Sequence, residues 1–190
     1  MQNGEKEQET TRDEYEYTRI DRILVHKGAI VDFYADKVKV SNGNIVTWDF
    51  IKHKGAAAIV PVDEDGKILM VRQFRNALDR ETLEIPAGGL EEGEDTKTCA
   101  TRELEEETGY RSEHIEHLFD MYTTVAFCNE KIDIYYATNL ISSKQNLDED
   151  ECIRVERYSV DELTKMIFDG KIQDGKTISA ILAYKAKMGL

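Results

Sequence analysis

The strongest constraint on this chain is a crowded group of acidic residues near its middle. The segment Ala87–Tyr110 reads "AGGLEEGEDTKTCATRELEEETGY". Asp95 is a residue type that caps helix N-termini, and Gly109 is the type that ends helices in a left-handed conformation. The pattern therefore predicts a helix from Thr96 to Thr108.

The acidic side chains at the end of this helix share one face. Helical spacing places Glu103, Glu106 and Glu107 within an arc of roughly 100°, beside an apolar stripe that should dock the helix on a sheet. Like charges at this spacing repel each other, and these carboxylates also lie near the negative end of the helix dipole. A bound Mg²⁺, which prefers oxygen ligands, would relieve the repulsion. The alternative is a solvated acidic helix end, to which we assign Glu105.

Composition limits the partners that such a chain can have. Its 190 residues contain 38 Asp and Glu against 25 Lys and Arg, a formal net charge of −13. This balance argues against nucleic acid as a partner, because nucleic-acid affinity depends on cationic side chains that neutralise phosphates. No apolar run approaches the roughly 20 residues needed to cross a bilayer, and the first residues lack a signal-peptide pattern. We therefore expect a cytoplasmic protein with no membrane partner.

The cysteines show no metal-binding or disulfide spacing. Cys99, Cys128 and Cys152 are odd in number and far apart. This pattern predicts reduced, mostly buried thiols rather than a disulfide framework or a thiolate zinc site.

The apolar pattern divides the chain into a tail and two folded parts. Residues 1–15 are polar and mixed in charge, so we expect a flexible tail. Residues 16–54 alternate apolar and polar positions around an Asn42-Gly43 turn, which predicts a small antiparallel β subdomain. Residues 55–190 should form the main domain.

Strand and helix signals predict that this main domain is of the α/β class. The apolar runs Gly55–Val62 and Lys67–Arg75 are joined by a turn at Gly66, which predicts a second hairpin. Further strand candidates follow the acidic helix, and two helices, the first capped by Ser159, come last. This order predicts a mixed sheet with helices on both faces.

The spacing of the acidic segment resembles the Nudix box. Gly88 is followed after five residues by Glu94 and after seven more by "RELEEETGY", which begins at Arg102. Matches at seven fixed positions arise by chance about once in 10⁷ starting positions at ordinary residue usage. Together with "ILMVRQFR", "IPAGGLEEGE" and the N-terminal β subdomain, the motif resembles the ADP-ribose pyrophosphatase branch of the Nudix hydrolases.

The resemblance implies a fold and an activity. The fold would be the Nudix α/β/α sandwich over residues 55–190, with residues 16–54 as a dimerisation subdomain in a homodimer. The activity would be hydrolysis of the diphosphate of ADP-ribose or a related nucleoside diphosphate sugar, with Mg²⁺ or Mn²⁺, to AMP and a sugar phosphate. The alternatives are a Nudix hydrolase for GDP-mannose, dinucleoside polyphosphates or NADH, and a non-catalytic ADP-ribose-sensing module, which the intact box disfavours.

The same resemblance implies a metal site on the acidic helix. Glu103 and Glu107 would be the principal ligands, with help from Glu106 and the backbone carbonyl of Ala87. Arg102 would orient the carboxylates, and its alternative interpretation is an ordinary surface ion pair.

A later acidic loop, "NLDEDECIRV", would supply the remaining catalytic groups. In the family pattern that it resembles, Glu149 would be the general base that activates water, and Glu151 would be a further metal ligand. Asp148 and Asp150 are the alternative candidates for these roles.

Other residues would contact the substrate. Arg75 matches a family arginine that binds the diphosphate, a task that suits the forked guanidinium. Glu84 and Glu130 resemble positions near the substrate, although Glu84 has a structural alternative. Trp48 stands where the branch shows an arginine beside the adenine, so its indole either stacks on the base or belongs to the core.

Overall fold

The computed structural model describes residues 16–147 and 152–190. It divides into two compact units between Lys52 and His53. The first unit holds the strands from residue 18 to residue 52, and the second holds the elements that follow.

The first unit is a three-stranded antiparallel sheet in the order β1-β2-β3. Its strands are β1 (Thr18–Lys27), β2 (Asp32–Lys39) and β3 (Ile45–Lys52). The predicted turn at Asn42-Gly43 is confirmed: Gly43 has a φ of 88°, and β2 pairs with β3 on either side. Arg22 fastens β1 to β2 through hydrogen bonds of 2.7 and 2.5 Å to the Asp36 carboxylate.

The second unit contains a mixed sheet in the order β7-β4-β10-β9 and an antiparallel sheet in the order β12-β5-β6. In the mixed sheet β10 runs parallel to β4, and the other pairs are antiparallel. A ladder between β8 and β11 is separate. The strands are β4 (Ala56–Pro61), β5 (Ile68–Arg75), β6 (Arg80–Glu84), β7 (Ala87–Gly89), β8 (Tyr110–Arg111), β9 (His114–Tyr122), β10 (Lys131–Thr138), β11 (Ile141–Ser142) and β12 (Arg154–Tyr158).

The described residues contain three α-helices and a short 3-10 helix. Helix α1 spans Thr96–Thr108, α2 spans Val160–Phe168, and α3 spans Gly175–Met188, while the 3-10 helix Asn76–Leu78 links β5 to β6. The predicted bounds of α1 are confirmed, as is the cap at Ser159, which forms a capping box with Glu162. No helix in the described ranges is long and apolar enough to cross a membrane.

Strand β4 separates the two halves of the core. Its residues Ala57 and Ile59 are fully buried in a cluster with residues of α1. The alternate residues Ala58 and Val60 are buried in a second cluster with residues of α2 and α3. Because successive side chains of a strand point to opposite faces, helices cover both faces of this sheet, which confirms the predicted α/β/α layers.

The predicted hairpin of β4 and β5 is only partly present. The turn exists, since Asp63 N–H donates to Lys67 O at 2.9 Å and Gly66 has a φ of 73°. In the described part of the chain, however, the two strands meet only at the bridge Val62↔Ile68 and then enter different sheets. β4 pairs with β10 and β7, whereas β5 pairs with β12 and β6.

The prediction of mostly buried thiols is wrong for part of the set. All three cysteines are free, but only Cys99 is buried, whereas Cys128 is partly exposed and Cys152 is exposed. Cys152 precedes β12 and is exposed, whereas its neighbour Ile153 is buried.

Candidate active site

The site is built around the connection from β7 to α1. The Asp95 carboxylate accepts hydrogen bonds from the backbone N–H groups of Lys97 and Thr98 at 3.0 and 3.1 Å, which fixes where α1 begins. Gly109 ends it with a φ of 72°. Since both ends are set by local residues, the direction of every side chain on α1 is set as well.

Two carboxylates of α1 are buried against β7. Glu103 is 8% exposed and Glu107 is 2% exposed. The Ala87 N–H donates to Glu107 Oε2 at 3.0 Å. Gly88 accommodates Glu103, because a Cβ atom at that position would lie 1.8 Å from Glu103 Oε1. The sequence therefore brings Ala87, Glu103 and Glu107 together, as predicted for the metal site.

Arg102 gathers the surrounding carboxylates. Its guanidinium donates to Glu94 from Nε and Nη2 at 3.0 Å each. Nη1 donates to Glu103 at 2.6 Å and to Glu106 at 2.9 Å. These bonds, led by those to Glu94, raise the pKa of Arg102, and in return they lower the pKa of Glu94. An ordinary surface ion pair joins one cation to one carboxylate, whereas Arg102 bonds to three. This difference supports the interpretation that Arg102 orients the carboxylates.

The donor set suits a hard divalent cation such as Mg²⁺ or Mn²⁺. Carboxylate and carbonyl oxygens are the preferred ligands of such ions. Within the described residues, however, no group of three or more His, Cys, Asp or Glu side chains could hold a metal ion, so Glu103, Glu106 and Glu107 do not by themselves form the predicted site. The neighbouring Cys99 thiol is a soft ligand that such ions disfavour, and burial raises its pKa to about 12. A hard cation here would rely on Glu103, Glu107, a backbone carbonyl and the acidic loop.

That loop is only partly described. Asp148, Glu149, Asp150 and Glu151 lie outside the described residues, so their assigned roles stay predictions. The chain just before them is bonded to the end of α1, where helix carbonyls lack intrahelical partners. These bonds, which the sequence did not reveal, are Ser143 N–H to Gly109 O at 2.7 Å, Gln145 Nε2 to Glu107 O at 2.7 Å and Asn146 N–H to Glu106 O at 3.0 Å.

Arg75, at the end of β5, is partly exposed and pairs with Glu84, a buried carboxylate at the end of β6. Arg75 Nε and Nη2 donate to the two oxygens of Glu84 at 2.8 and 2.7 Å. Thr82 Oγ1 donates to Glu84 Oε1 at 2.6 Å, and Lys176 Nζ donates to Glu84 Oε2. Burial would raise the pKa of Glu84, but the bonds from Arg75 and the charge of Lys176 lower it to about 2. Protein donors thus occupy both Glu84 oxygens, which favours the structural alternative for this residue.

Sequence reasoning missed Lys176, although a signal for it exists. The residue lies in the first turn of α3, where the positive end of the helix dipole disfavours a cation. A lysine in this position, two residues after the N-cap Asp174, indicates that a nearby anion forms an ion pair with it. The anion is Glu84, which lies 92 positions away in the sequence.

The other two predicted substrate residues, Glu130 and Trp48, belong to different units of the chain. Glu130 accepts a hydrogen bond from Thr123 Oγ1 at 2.7 Å and lies 3.6 Å from His53 Nδ1. Trp48 belongs to the first unit and is 48% exposed, with its ring centroid 6.0 Å from that of Tyr17. The core interpretation of Trp48 is therefore wrong, and base stacking stays a prediction.

Acidification is expected to destabilise the protein through Glu84. Its folded pKa is about 2, below the usual 4.5, so the ionised form contributes stability above about pH 4.5 that is lost as the pH falls towards 2. The contribution at neutral pH is on the order of 3 kcal/mol. Urea unfolding of the wild type and Glu84→Gln should show a difference that shrinks steadily on acidification. Glu81→Gln, at an exposed ion pair with Arg154, is the control, and a Glu84→Gln difference independent of pH would contradict the assignment.

Comparison with known proteins identifies the family of the chain. The NUDIX domain model matches residues 52–181, which is more than half of the chain. The chain therefore belongs to the NUDIX domain family.

Individual relatives cover most of the chain. An ADP-ribose pyrophosphatase of Bacillus subtilis (strain 168) is 37% identical over 168 residues, covering 87% of this chain and 91% of the relative. A methanol dehydrogenase activator of Bacillus methanolicus is 39% identical over 160 residues, covering 83% and 86%. A crystal structure described as an ADP compounds hydrolase superposes with a TM-score of 0.82 at 19% identity, covering 92% of this chain and 95% of its own. This last likeness shows the shared fold.

Proposed function

We propose that the protein hydrolyses the diphosphate of ADP-ribose or a related nucleoside diphosphate sugar to AMP and a sugar phosphate. The observation that carries this proposal is the burial of Glu103 and Glu107 against β7, with Arg102 holding Glu103 from outside. Carboxylates are seldom buried together unless cations or hydrogen bonds stabilise them. The name of the Bacillus subtilis relative supports the choice of ADP-ribose. The name of the Bacillus methanolicus relative states an effect on another enzyme and does not bear on the bond cleaved.

Mg²⁺ or Mn²⁺ would be held by Glu103, Glu106, Glu107 and Glu151 together with the Ala87 carbonyl. Such a cation neutralises diphosphate charge and lowers the pKa of the attacking water. The protein's own contribution is preorganisation, because the ligand side chains are already oriented by Arg102, Gly88 and the Ala87 N–H and need not rearrange during the reaction.

Two further side chains, Arg75 and Glu149, would bind the substrate phosphate and activate the attacking water. Arg75 binds a phosphate of the substrate through the part of its guanidinium that Glu84 leaves free, since guanidinium groups bind phosphate oxygens in a forked arrangement. Glu149 removes a proton from the attacking water as general base. Glu130 contacts the nucleoside or sugar part of the substrate. For Trp48 the proposal is stacking of its exposed indole on a base.

A substrate comparison tests this proposal. ADP-ribose, ADP-glucose, GDP-mannose, NADH and a diadenosine polyphosphate are incubated with protein and Mg²⁺, and the products are separated chromatographically. We expect ADP-ribose to give AMP and ribose 5-phosphate with the highest kcat/KM. Faster turnover of GDP-mannose or a dinucleotide would show that this compound, rather than ADP-ribose, represents the substrate class. Tight ADP-ribose binding without turnover would indicate a sensing module.

We also propose that the protein is a cytoplasmic homodimer formed through the first unit. Free cysteines suit a reducing compartment. Large exposed apolar patches mark interaction surfaces. Strand β1 leaves four large apolar side chains about half exposed: Ile20, Ile23, Leu24 and Val25.

Sedimentation is expected to show a two-chain species at micromolar concentration. Leu24→Lys places a charge among these apolar side chains and should shift the species towards monomer. Phe168→Lys, at an exposed apolar position on α2, serves as the matched control and should remain dimeric. A wild-type monomer under these conditions would contradict the dimer proposal.

A further inference from the structure

The N-terminus of α3 is joined to the end of β6 by a continuous set of polar contacts. The Ile85 N–H donates to Thr177 Oγ1 at 3.0 Å, and Thr177 Oγ1 donates to Asp174 Oδ2 at 2.6 Å. Asp174 also accepts from Lys176 Nζ at 2.9 Å. Thr177 and Ile85 are fully buried, so this junction is a rigid part of the domain rather than a surface contact.

Lys176 is held from two sides within this junction. Its ammonium donates to Asp174 and to Glu84 Oε2, and its side chain is only 12% exposed. Lysine is rarely buried to this degree unless it is paired. The residue therefore has a defined position next to Glu84, which itself is 3% exposed.

The contacts of Glu84 determine how Arg75 is oriented. Arg75 uses Nε and Nη2 for Glu84. In residues 16–147 and 152–190, Arg75 Nη1 has no protein acceptor. Arg75 and Lys176 both line a cavity of about 390 Å³, whose other lining residues include Leu78 and Gln173. The guanidinium is thus fixed through Nε and Nη2, while Nη1 is available to bind a substrate phosphate.

We infer that Lys176 is a positioning residue, which clamps Glu84 and through it holds Arg75 in the orientation that receives a substrate phosphate. This inference rests on the proposed function. Its physical basis is charge as well as geometry: Arg75 and Lys176 match the two carboxylates Glu84 and Asp174 in number, while the charge of Glu107 also acts on Arg75 from outside this group of four. Without Lys176 the group would carry a net charge of about −1 and would repel a diphosphate.

Kinetics of Lys176→Met are the first test. Because the residue acts on phosphate binding and not on bond cleavage, KM for ADP-ribose should rise about tenfold while kcat changes less than about threefold. Lys176→Arg keeps a cationic donor to Glu84 and should restore most of the affinity. Lys185→Met, on the same helix and paired with the exposed Asp161, removes an equal charge outside the cavity and should leave KM unchanged.

The Nε–H proton of Arg75 gives a second readout that does not depend on turnover. In wild type and Lys185→Met its NMR signal, assigned by its loss in Arg75→Lys, should exchange slowly with water because it is bonded to Glu84. In Lys176→Met the exchange should be at least about tenfold faster, since local opening governs exchange. Unchanged exchange overturns the inference, even if KM rises, because Lys176 would then act on the substrate directly.

These outcomes separate the inference from the proposed function. If the wild type hydrolyses none of the substrates, the proposed function fails and the Arg75 exchange rate still decides whether Lys176 positions it. If the wild type is active and Lys176→Met matches it in both KM and exchange, the positioning role alone fails. Should Lys176→Met not fold, Lys176→Gln, which keeps a neutral donor, is measured against the same two outcomes.

Discussion

Glu107→Gln is expected to lower kcat/KM for ADP-ribose by roughly 10³-fold, since loss of a metal ligand removes several kcal/mol of transition-state stabilisation. The substitution preserves size and leaves an amide oxygen that can still accept the Ala87 N–H, as Glu107 Oε2 does at 3.0 Å. The fold should therefore persist while the negative charge is lost. The effect should appear as weaker binding of Mn²⁺ in calorimetry together with the loss of turnover.

The control for this experiment lies on the same helix. Glu105 is partly exposed and accepts a hydrogen bond from Ser143 Oγ, and the helical spacing directs it away from the other carboxylates. Glu105→Gln removes the same charge from α1 and should keep kcat/KM within about threefold of wild type. If Glu107→Gln also stays within about threefold, the metal assignment is wrong.

Gly88→Ala is expected to reduce kcat/KM by about 10²-fold or more, because catalysis is sensitive to displacements of about 1 Å. The added Cβ would lie 1.8 Å from Glu103 Oε1 and 2.1 Å from Glu103 Cδ. The carboxylate must therefore move, and its 2.6 Å bond to Arg102 Nη1 must change with it. The moving group is the end of a flexible side chain, so stability should fall by only about 1 kcal/mol.

The adjacent glycine provides a matched comparison. A Cβ at Gly89 would lie 3.4 Å from Lys54 Cε, its nearest neighbour, which is an ordinary contact. Both glycines belong to β7 and pair with β4, so Gly89→Ala tests the same strand without touching Glu103. Thermal unfolding and ADP-ribose hydrolysis are measured on both variants. Equal activity in the two would show that the position of the Glu103 carboxylate does not control catalysis.

Local signals account for what the sequence predicted well. The cap at Asp95 and the left-handed Gly109 define α1 within the segment itself, so its bounds and its carboxylate face follow from the sequence. The turn at Asn42-Gly43 and the cap at Ser159 are equally local. Each of these features depends on residues only a few positions apart.

Contacts between distant residues explain what the sequence left open. β4 and β5 look like a hairpin because an apolar run does not specify which strand will lie beside it, and only the assembled domain assigns them to separate sheets. Likewise the role of Glu84 depends on Lys176, 92 positions later. No pattern near Glu84 distinguishes a carboxylate bound by two cations from one that faces a substrate.

The bonds made by Arg102 also restrict where the chain tolerates insertions. The guanidinium connects Glu94, before α1, to Glu103 and Glu106 within it. One added residue in that interval would turn the following part of the helix by about 100° and advance it by about 1.5 Å. The carboxylates on the two sides of the insertion could then no longer reach the same guanidinium. Residues 64–66, in the turn before β5, are exposed and lie outside this interval. Changes in length should therefore accumulate in surface turns, while the distance in sequence from Gly88 to Glu107 stays fixed.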